Sequence, residues 1–210
     1  MCGSVVNNRF TELYVIKMGR KYQLKQRAER QEETRRRIVE AAVELHGIVG
    51  PARTTILALA ERAGVERPTV YRHFPTTESL FKACSSHHWT ENPPPDPERW
   101  LAINDPEARL RRGLGELYAY YSLHALRMWN ILRDVEDMPE LRPFAAHRVA
   151  HRERVRQVLV SAWPDRKSKC KVLAAAIGHA VDFFAWRSLR RQKLTDQEIV
   201  ELMVGMIRSI

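Results

Sequence analysis

Apolar residues recur along most of this chain at three- and four-residue intervals, and almost nothing alternates with period two. That pattern predicts helices and no sheet. Ile38, Ala41, Ala42 and Leu45 form one stripe, with Arg35, Arg36, Arg37 and Glu40 on the other side. A helix is predicted there from about Glu32, ending at Gly47, Gly50 and Pro51. A second follows Thr54 or Thr55, either suited to an N-cap, turns Ile56, Leu59 and Ala60 inward and stops at Ala63-Gly64-Val65. A short third runs from Pro68 to Phe74; proline suits a first turn, where its missing N–H breaks no helical bond. A fourth opens after Pro75, with Thr76 or Thr77 as cap, Glu78 in the first turn and Leu80 and Phe81 inward.

Pro93, Pro94, Pro95 and Pro97 forbid a helix across residues 91–98. Longer helical patterns follow at about 106–121, 122–135, 139–162, 168–191 and 195–209, punctuated by Pro106, Pro139, Pro164 and the polar turn 165–168. The chain thus divides into a basic arm without period over 1–28, expected to be disordered, a helical head over 29–90 and a larger helical body over 91–210. The arm either touches phosphates or, if Met18 is the true start, lies partly upstream of the protein.

Composition narrows the class. With 44% hydrophobic residues in 210, a folded core is expected. No apolar run reaches eighteen residues and no apolar block with a cleavage site opens the chain, so neither membrane insertion nor secretion is expected. Cys2, Cys84 and Cys170 are odd in number and lack metal or redox spacing, which suits a reducing cytoplasm. The net charge is +10, and residues 1–90 hold 15 Lys/Arg against 9 Asp/Glu. This suits nucleic acid, although an anionic membrane surface would also attract it.

A helix, a tight turn and a short second helix form the element that sets a protein helix into the major groove, and a generic helical corner has the same spacing. Gly64 allows a positive φ, Val65 can plug between the helices and Ala60 permits a close crossing. Val70 and Phe74 should face the core, leaving Arg67, Thr69, Tyr71, Arg72 and His73 mostly outside. The arginines suit guanine edges or phosphates, Thr69 a phosphate or thymine methyl, and the Tyr71 and His73 tips suit phosphates.

The run from Thr54 through Val65, followed by Thr69-Val70-Tyr71-Arg72-His73-Phe74 and Glu78-Ser79-Leu80, resembles the DNA-binding signature of TetR-family regulators across roughly residues 34–82. The resemblance implies an all-α fold: a three-helix DNA-binding head with a helix-turn-helix, then a C-terminal helical ligand-binding and dimerisation domain. It implies a ligand-responsive transcriptional regulator, most often a repressor. Phosphate contacts carry over to Thr55, Thr69, Tyr71 and His73, with Thr54 beside them; Arg67, Pro68 and Arg72 stand where groove-facing residues lie. The implied partners are double-stranded operator DNA, a second copy through the last two helices, and a small apolar or amphipathic ligand. Three residues depart from the family pattern. Glu66 stands where Ser or Thr commonly caps, Thr77 replaces a frequent lysine, and His46 replaces a core aromatic.

In the body, Tyr118, Tyr121, His124, Trp129 and His147 are candidates for an apolar ligand pocket with polar tips, ordinary core being the alternative. His147 and His151 have a metal-compatible spacing, but Arg148, Arg152 and Arg154 crowd them, so surface histidines are expected and no metal. His179 and Asp182 read as a packing or hydrogen-bonding pair. Val172, Ala176, His179, Phe183 and Trp186 form a stripe widened by Leu173, Ile177, Ala180 and Phe184. Leu194, Ile199, Leu202, Met203 and Met206 form another; both serve intrachain core or a dimer. No nucleotide-binding glycine loop, nucleophile elbow or HExxH motif occurs, so no enzyme and no cofactor are expected. A helical interaction module without sequence-specific DNA binding, or an activator, remains the alternative.

Overall fold

Helix α1 (Asn7–Ile48) reaches far upstream of the stripe that announced it. In this computed structural model, which describes residues 7–138, 141–163 and 170–210, the expected disordered arm is helical over residues 7–28. From residue 22 on, where the side chains are mostly exposed, the cause is propensity rather than burial. Residues 20–46 contain neither Gly nor Pro and are rich in Arg, Lys, Gln, Glu and Ala. Lys25 pairs with Glu29 at 3.8 Å, and Arg36 with Glu33 and Glu40 at 2.8 and 2.5 Å, all at helical spacing. Tyr22 and Leu24 lie exposed on this extension, so an amphipathic pattern had nothing to report. Residues 1–6, Pro139, Pro164 and the turn at 165–168 lie outside the described residues, as does the side chain of Phe144.

After a 3₁₀ turn at Pro51–Arg53 the head continues with α2 (Ile56–Ala63), α3 (Arg67–His73) and α4 (Thr77–Glu91). Thr55 caps α2 and Thr76 caps α4, each accepting a backbone N–H at 3.1 Å, from Ala58 and Ser79. Ile38, Ala42, Leu59, Val70, Phe74 and Phe81 close the head's core. The proline segment leads into a 3₁₀ helix at Pro97–Ala102.

The body holds α5 (Pro106–Asp137), α6 (Arg142–Val160), α7 (Cys170–Ala180), α8 (Phe183–Arg191) and α9 (Asp196–Arg208). The expected division between 106–121 and 122–135 appears as a kink within α5, where His124 leaves helical geometry (φ −112°, ψ 15°). One expectation is corrected. The pattern at 168–191 is two helices, although no Pro or Gly separates them. Asp182 accepts the N–H groups of Phe184 and Ala185 at 2.8 and 3.3 Å and so starts α8. The carbonyls of Ala180 and Val181 left at the break accept the Tyr118 and Tyr121 hydroxyls, each at 2.7 Å. Leu114, Leu159, Ile177, Trp186 and Ile199 fill the body's core.

Head and body meet where α5 grips the end of α1. Asn130 donates to the carbonyls of Gly47 and Ile48 at 2.9 Å each, and Arg133 to that of Val49 at 3.2 Å. The buried Asp134 carboxylate accepts the Ala52 N–H at 2.9 Å. Arg127 donates to the Val43 carbonyl. A helix leaves its last carbonyls without intrahelical partners, and here a neighbouring helix supplies them. Replacing Asn130 by Ala should therefore cost about 1–3 kcal/mol in urea unfolding; an unchanged midpoint would show that this junction does not hold the domains.

At the same junction His46 is buried against Phe81, its Nδ1 3.3 Å from the Cys84 sulfur. Burial first, and then the Arg127 charge, bring its pKa from 6.5 down to about 4. Between those values the unfolded chain binds the extra proton, so stability falls as pH drops through this window. His46→Phe should remove on the order of 3 kcal/mol of the loss between pH 7 and pH 4. Urea midpoints at the two pH values check this, and an equal loss in both proteins would contradict it.

Candidate nucleic-acid interface and ligand cavity

The turn between α2 and α3 follows from one glycine. Gly64 sits at φ 63°, ψ 44°, a left-handed conformation that closes α2 and costs glycine no side-chain clash. The Val65 N–H returns to the Ala60 carbonyl at 3.0 Å. Arg37 of α1 donates to the Ala63 carbonyl at 3.2 Å, and Arg62 pairs with Glu44. The corner is therefore held from α1 as well as from within.

On α3, Val70 is wholly buried and Phe74 lies under the Arg35 guanidinium, 4.5 Å from the ring centre. These two anchors turn the rest outward. Arg67, Pro68 and Arg72 are exposed, Tyr71 is 50% exposed and Thr69 and His73 are half-buried. Arg72 reaches the Thr69 hydroxyl at 3.4 Å. Burial, then Arg72 and Arg35, hold the His73 pKa below its ordinary value, so at neutral pH it offers hydrogen bonds rather than charge. Thr55 spends its hydroxyl on the α2 cap and Thr54 bonds the Gly50 carbonyl at 2.8 Å. All eight residues expected at DNA thus lie on α3 or at the start of α2. Glu66 occupies the N-cap of α3 with no side-chain cap bond.

A partly open cavity of about 150 Å³ lies between α4, α5, α6 and α8. Trp89, Tyr120, Tyr121, Met128, Leu132 and Phe183 make much of its wall, and Arg148, His151 and Arg152 line its polar side. Of the five residues expected at a ligand pocket, Tyr121 lines this cavity. Tyr118 is buried core, its hydroxyl committed to the α7 end. Trp129 packs on Phe184 and under Arg187, whose guanidinium lies 3.7 Å from the ring centre. His124 sits at the α5 bend against Tyr120 and His88. His147 packs edge-on against Trp89, its Nε2 buried without a partner among the described residues, and faces a separate shallow groove. His151 donates to the Pro95 carbonyl at 2.8 Å, so the spaced histidine pair is engaged elsewhere. Among the described residues no cluster of three or more metal-binding side chains occurs, and no single helix is long and apolar enough to cross a membrane.

Sequence reasoning passed over Arg127 and took Arg148 only as charge crowding the histidine pair. Both guanidiniums are drawn out of solvent, and burial lowers both pKa values, that of Arg127 to about 10. An arginine inside a polar run gives no sign in sequence of which way it turns.

Residues 38–84 match the profile of the family described as bacterial regulatory proteins, tetR family. Uncharacterised HTH-type transcriptional regulators of Mycobacterium tuberculosis and Mycobacterium bovis are 41% identical over 56 residues. That match takes in 27% of this chain and 30% of theirs. The fold extends much further. A TetR-like transcriptional regulator from Rhodococcus sp. RHA1 superposes with TM-score 0.57 at 18% identity, over 83% of this chain and 93% of that one. NalD, the secondary repressor of the MexAB-OprM multidrug efflux pump in Pseudomonas aeruginosa, does so with TM-score 0.53 at 20% identity, over 86% and 96%.

Glu66 already holds extended backbone (φ −77°, ψ 148°) suited to a cap. Glu66→Ser should stabilise the head by about 0.5–1 kcal/mol, its hydroxyl sharing the Thr69 N–H, which now meets only the Glu66 carbonyl at 2.9 Å. It should also strengthen DNA binding by removing a negative charge beside the interface. Thermal melting and a binding titration check the two effects, and a lowered melting temperature would contradict the cap geometry.

Proposed function

We propose that this chain is a member of the tetR family of bacterial regulatory proteins, a cytoplasmic dimeric repressor that occupies operator DNA and leaves it when a small molecule fills the body cavity. The observation that carries the reading is the outer face of α3. A seven-residue helix held by Val70 and Phe74 presents Arg67, Tyr71 and Arg72 to solvent together. Two arginines suit guanine edges and phosphates, and the tyrosine tip suits a phosphate.

A single head reads too little sequence, so a second copy is required. The two apolar stripes of the last helices divide between two tasks. Leu173, Ile177, Phe183, Trp186, Ile199 and Met203 are intrachain core. Phe184, Leu202 and Met206 stay 44%, 41% and 55% exposed on α8 and α9. That outward face supports a two-fold helical interface, which would set two recognition helices roughly 34–36 Å apart on successive major-groove turns. Repression needs only that the bound dimer block polymerase. The role of NalD as the secondary repressor of an efflux pump is in keeping with that mode.

The α1–α5 junction supports coupling. A ligand that shifts α5 moves the residues holding α1, and so alters head spacing; by linkage, DNA weakens ligand binding by the same factor.

Selection of genomic fragments by the purified protein should yield a palindrome with half-sites one helical turn apart. Arg67→Ala with Tyr71→Phe should weaken binding to it at least about tenfold, each lost contact being worth about 1–3 kcal/mol, with the melting temperature unchanged because both side chains are exposed. Unaltered affinity in a folded variant would remove the mechanism. Leu202→Glu with Met206→Glu should yield monomers in sedimentation and abolish operator binding; a stable dimer would place the interface elsewhere.

A further inference from the structure

The body cavity is apolar over most of its wall and cationic at one side, and its cations are not equivalent. Arg152 pairs with the Asp182 carboxylate at 2.7 Å. His151 spends its Nε2 on the Pro95 carbonyl. Arg148 has no carboxylate partner among the described residues, and burial is the largest cause lowering its pKa. It also borders a second, smaller cavity lined by His46, Phe81, Cys84 and Arg127, where head meets body. Arg127 has no carboxylate partner either, and its Nε is buried without a hydrogen bond. Arg148 is itself one of the charges pulling the Arg127 pKa down. Two guanidiniums thus border one cavity and no described carboxylate pairs with either, the Asp134 carboxylate at the junction being taken by Arg133 at 2.6 Å. Buried charge left unpaired is strongly unfavourable, and a carboxylate answers a guanidinium with two parallel hydrogen bonds.

We propose that the cavity binds a small organic monocarboxylate, its carboxylate paired with Arg148 and its apolar, ring-sized body held among Trp89, Tyr120, Met128 and Phe183. The size follows from the volume, about 150 Å³, close to that of a protein cavity known to admit benzene. The aromatic walls suit a ring by edge-to-face contact. The charge sign follows from Arg148, because a neutral or cationic body would leave it unpaired. This assignment names the ligand class for the regulatory site proposed above and rests on that reading only for its consequence at DNA. An anion drawing Arg148 toward the larger cavity relieves its repulsion with Arg127. Arg127 donates to the Val43 carbonyl of α1, so the relief is felt in the head.

The test is calorimetric titration of the full-length protein with benzoate, phenylacetate and hexanoate, and with benzamide and phenylacetamide as uncharged counterparts. At least one acid should bind tenfold or more tightly than its amide. Arg148→Met, which keeps the volume, should abolish that preference, and Arg148→Lys should restore part of it. Arg112→Gln, on the exposed outer side of α5, should leave it unchanged. The melting temperature of Arg148→Met without ligand should stay level or rise, since an unpaired charge is removed; this separates lost recognition from lost folding. Amides binding as tightly as acids, unchanged acid binding in Arg148→Met, or no binding of any acid at 10-millimolar concentration (on the order of the weakest affinities worth calling specific) would each overturn the assignment. The operator arm separates the two readings. Acids that bind through Arg148 but fail to release operator DNA uphold the ligand class and defeat ligand-responsive repression. Operator release by amides as well as acids upholds the response and defeats the class.

Discussion

The grip of α5 on the C-terminal end of α1 is the constraint on which the rest of the molecule depends. A helix that ends inside a protein must find partners for its last carbonyls, and α1 finds them in Asn130 and Arg133 while Asp134 takes the Ala52 N–H just beyond. The α1 end is thereby fixed to the longest helix of the body. Because α1 also packs on α2 and α4 and holds the helix-turn-helix corner through Arg37, the orientation of α3 is set from the body as well as from the head. A small rotation of α5 cannot be absorbed locally, since each of these bonds must move with it or break.

The same helix forms one wall of the cavity. Tyr120, Tyr121, Met128 and Leu132 face it, and Arg127 reaches from the intervening stretch to α1. The bend at His124 lies between the part of α5 buried in the body core and the part that grips the head. Cavity and junction therefore share a single helix, the cavity residues lying on both sides of the bend and the junction residues beyond it. Arg148, bordering both the cavity and the junction, joins the two electrostatically.

Buried polar groups in this body divide into those that are satisfied and those that are not. Tyr118 and Tyr121 close the broken end of α7, Arg109 donates to the carbonyls of Leu101, Ile103 and Val158, and Trp100 donates to Glu116 at 2.9 Å. Those groups rigidify the scaffold. The Arg127 Nε and the unpaired charge of Arg148 stand apart from them, and they lie where the body cavity meets the head. Among the described residues the His147 Nε2 and Trp163 Nε1 are also buried without a hydrogen bond, and Arg127 and Arg148 differ from them in carrying charge.

The sequence by itself determined the head. The three- and four-residue spacing of Ile38, Leu59, Val70 and Phe74, the glycine at 64 and the threonine caps are local signals, and each acts within a turn or two of its own position. The outward set on α3 followed from the same periodicity, since knowing which residues face in leaves the others facing out. The backward reach of α1 escaped because charged helix formers carry no amphipathic stripe. The break at Asp182 escaped because it is stabilised by Tyr118 and Tyr121, some 60 residues earlier in the chain. The ligand side was the least legible. Tyr118, His124, Trp129 and His147 have the composition of a pocket yet turn to other tasks, while Arg127, which no motif marks, and Arg148, legible only as charge beside the histidine pair, border the cavity where head meets body. Only the tertiary structure decides such matters, because the burial and pairing of a side chain depend on which distant helices pack over it, and helical period says only which side it occupies.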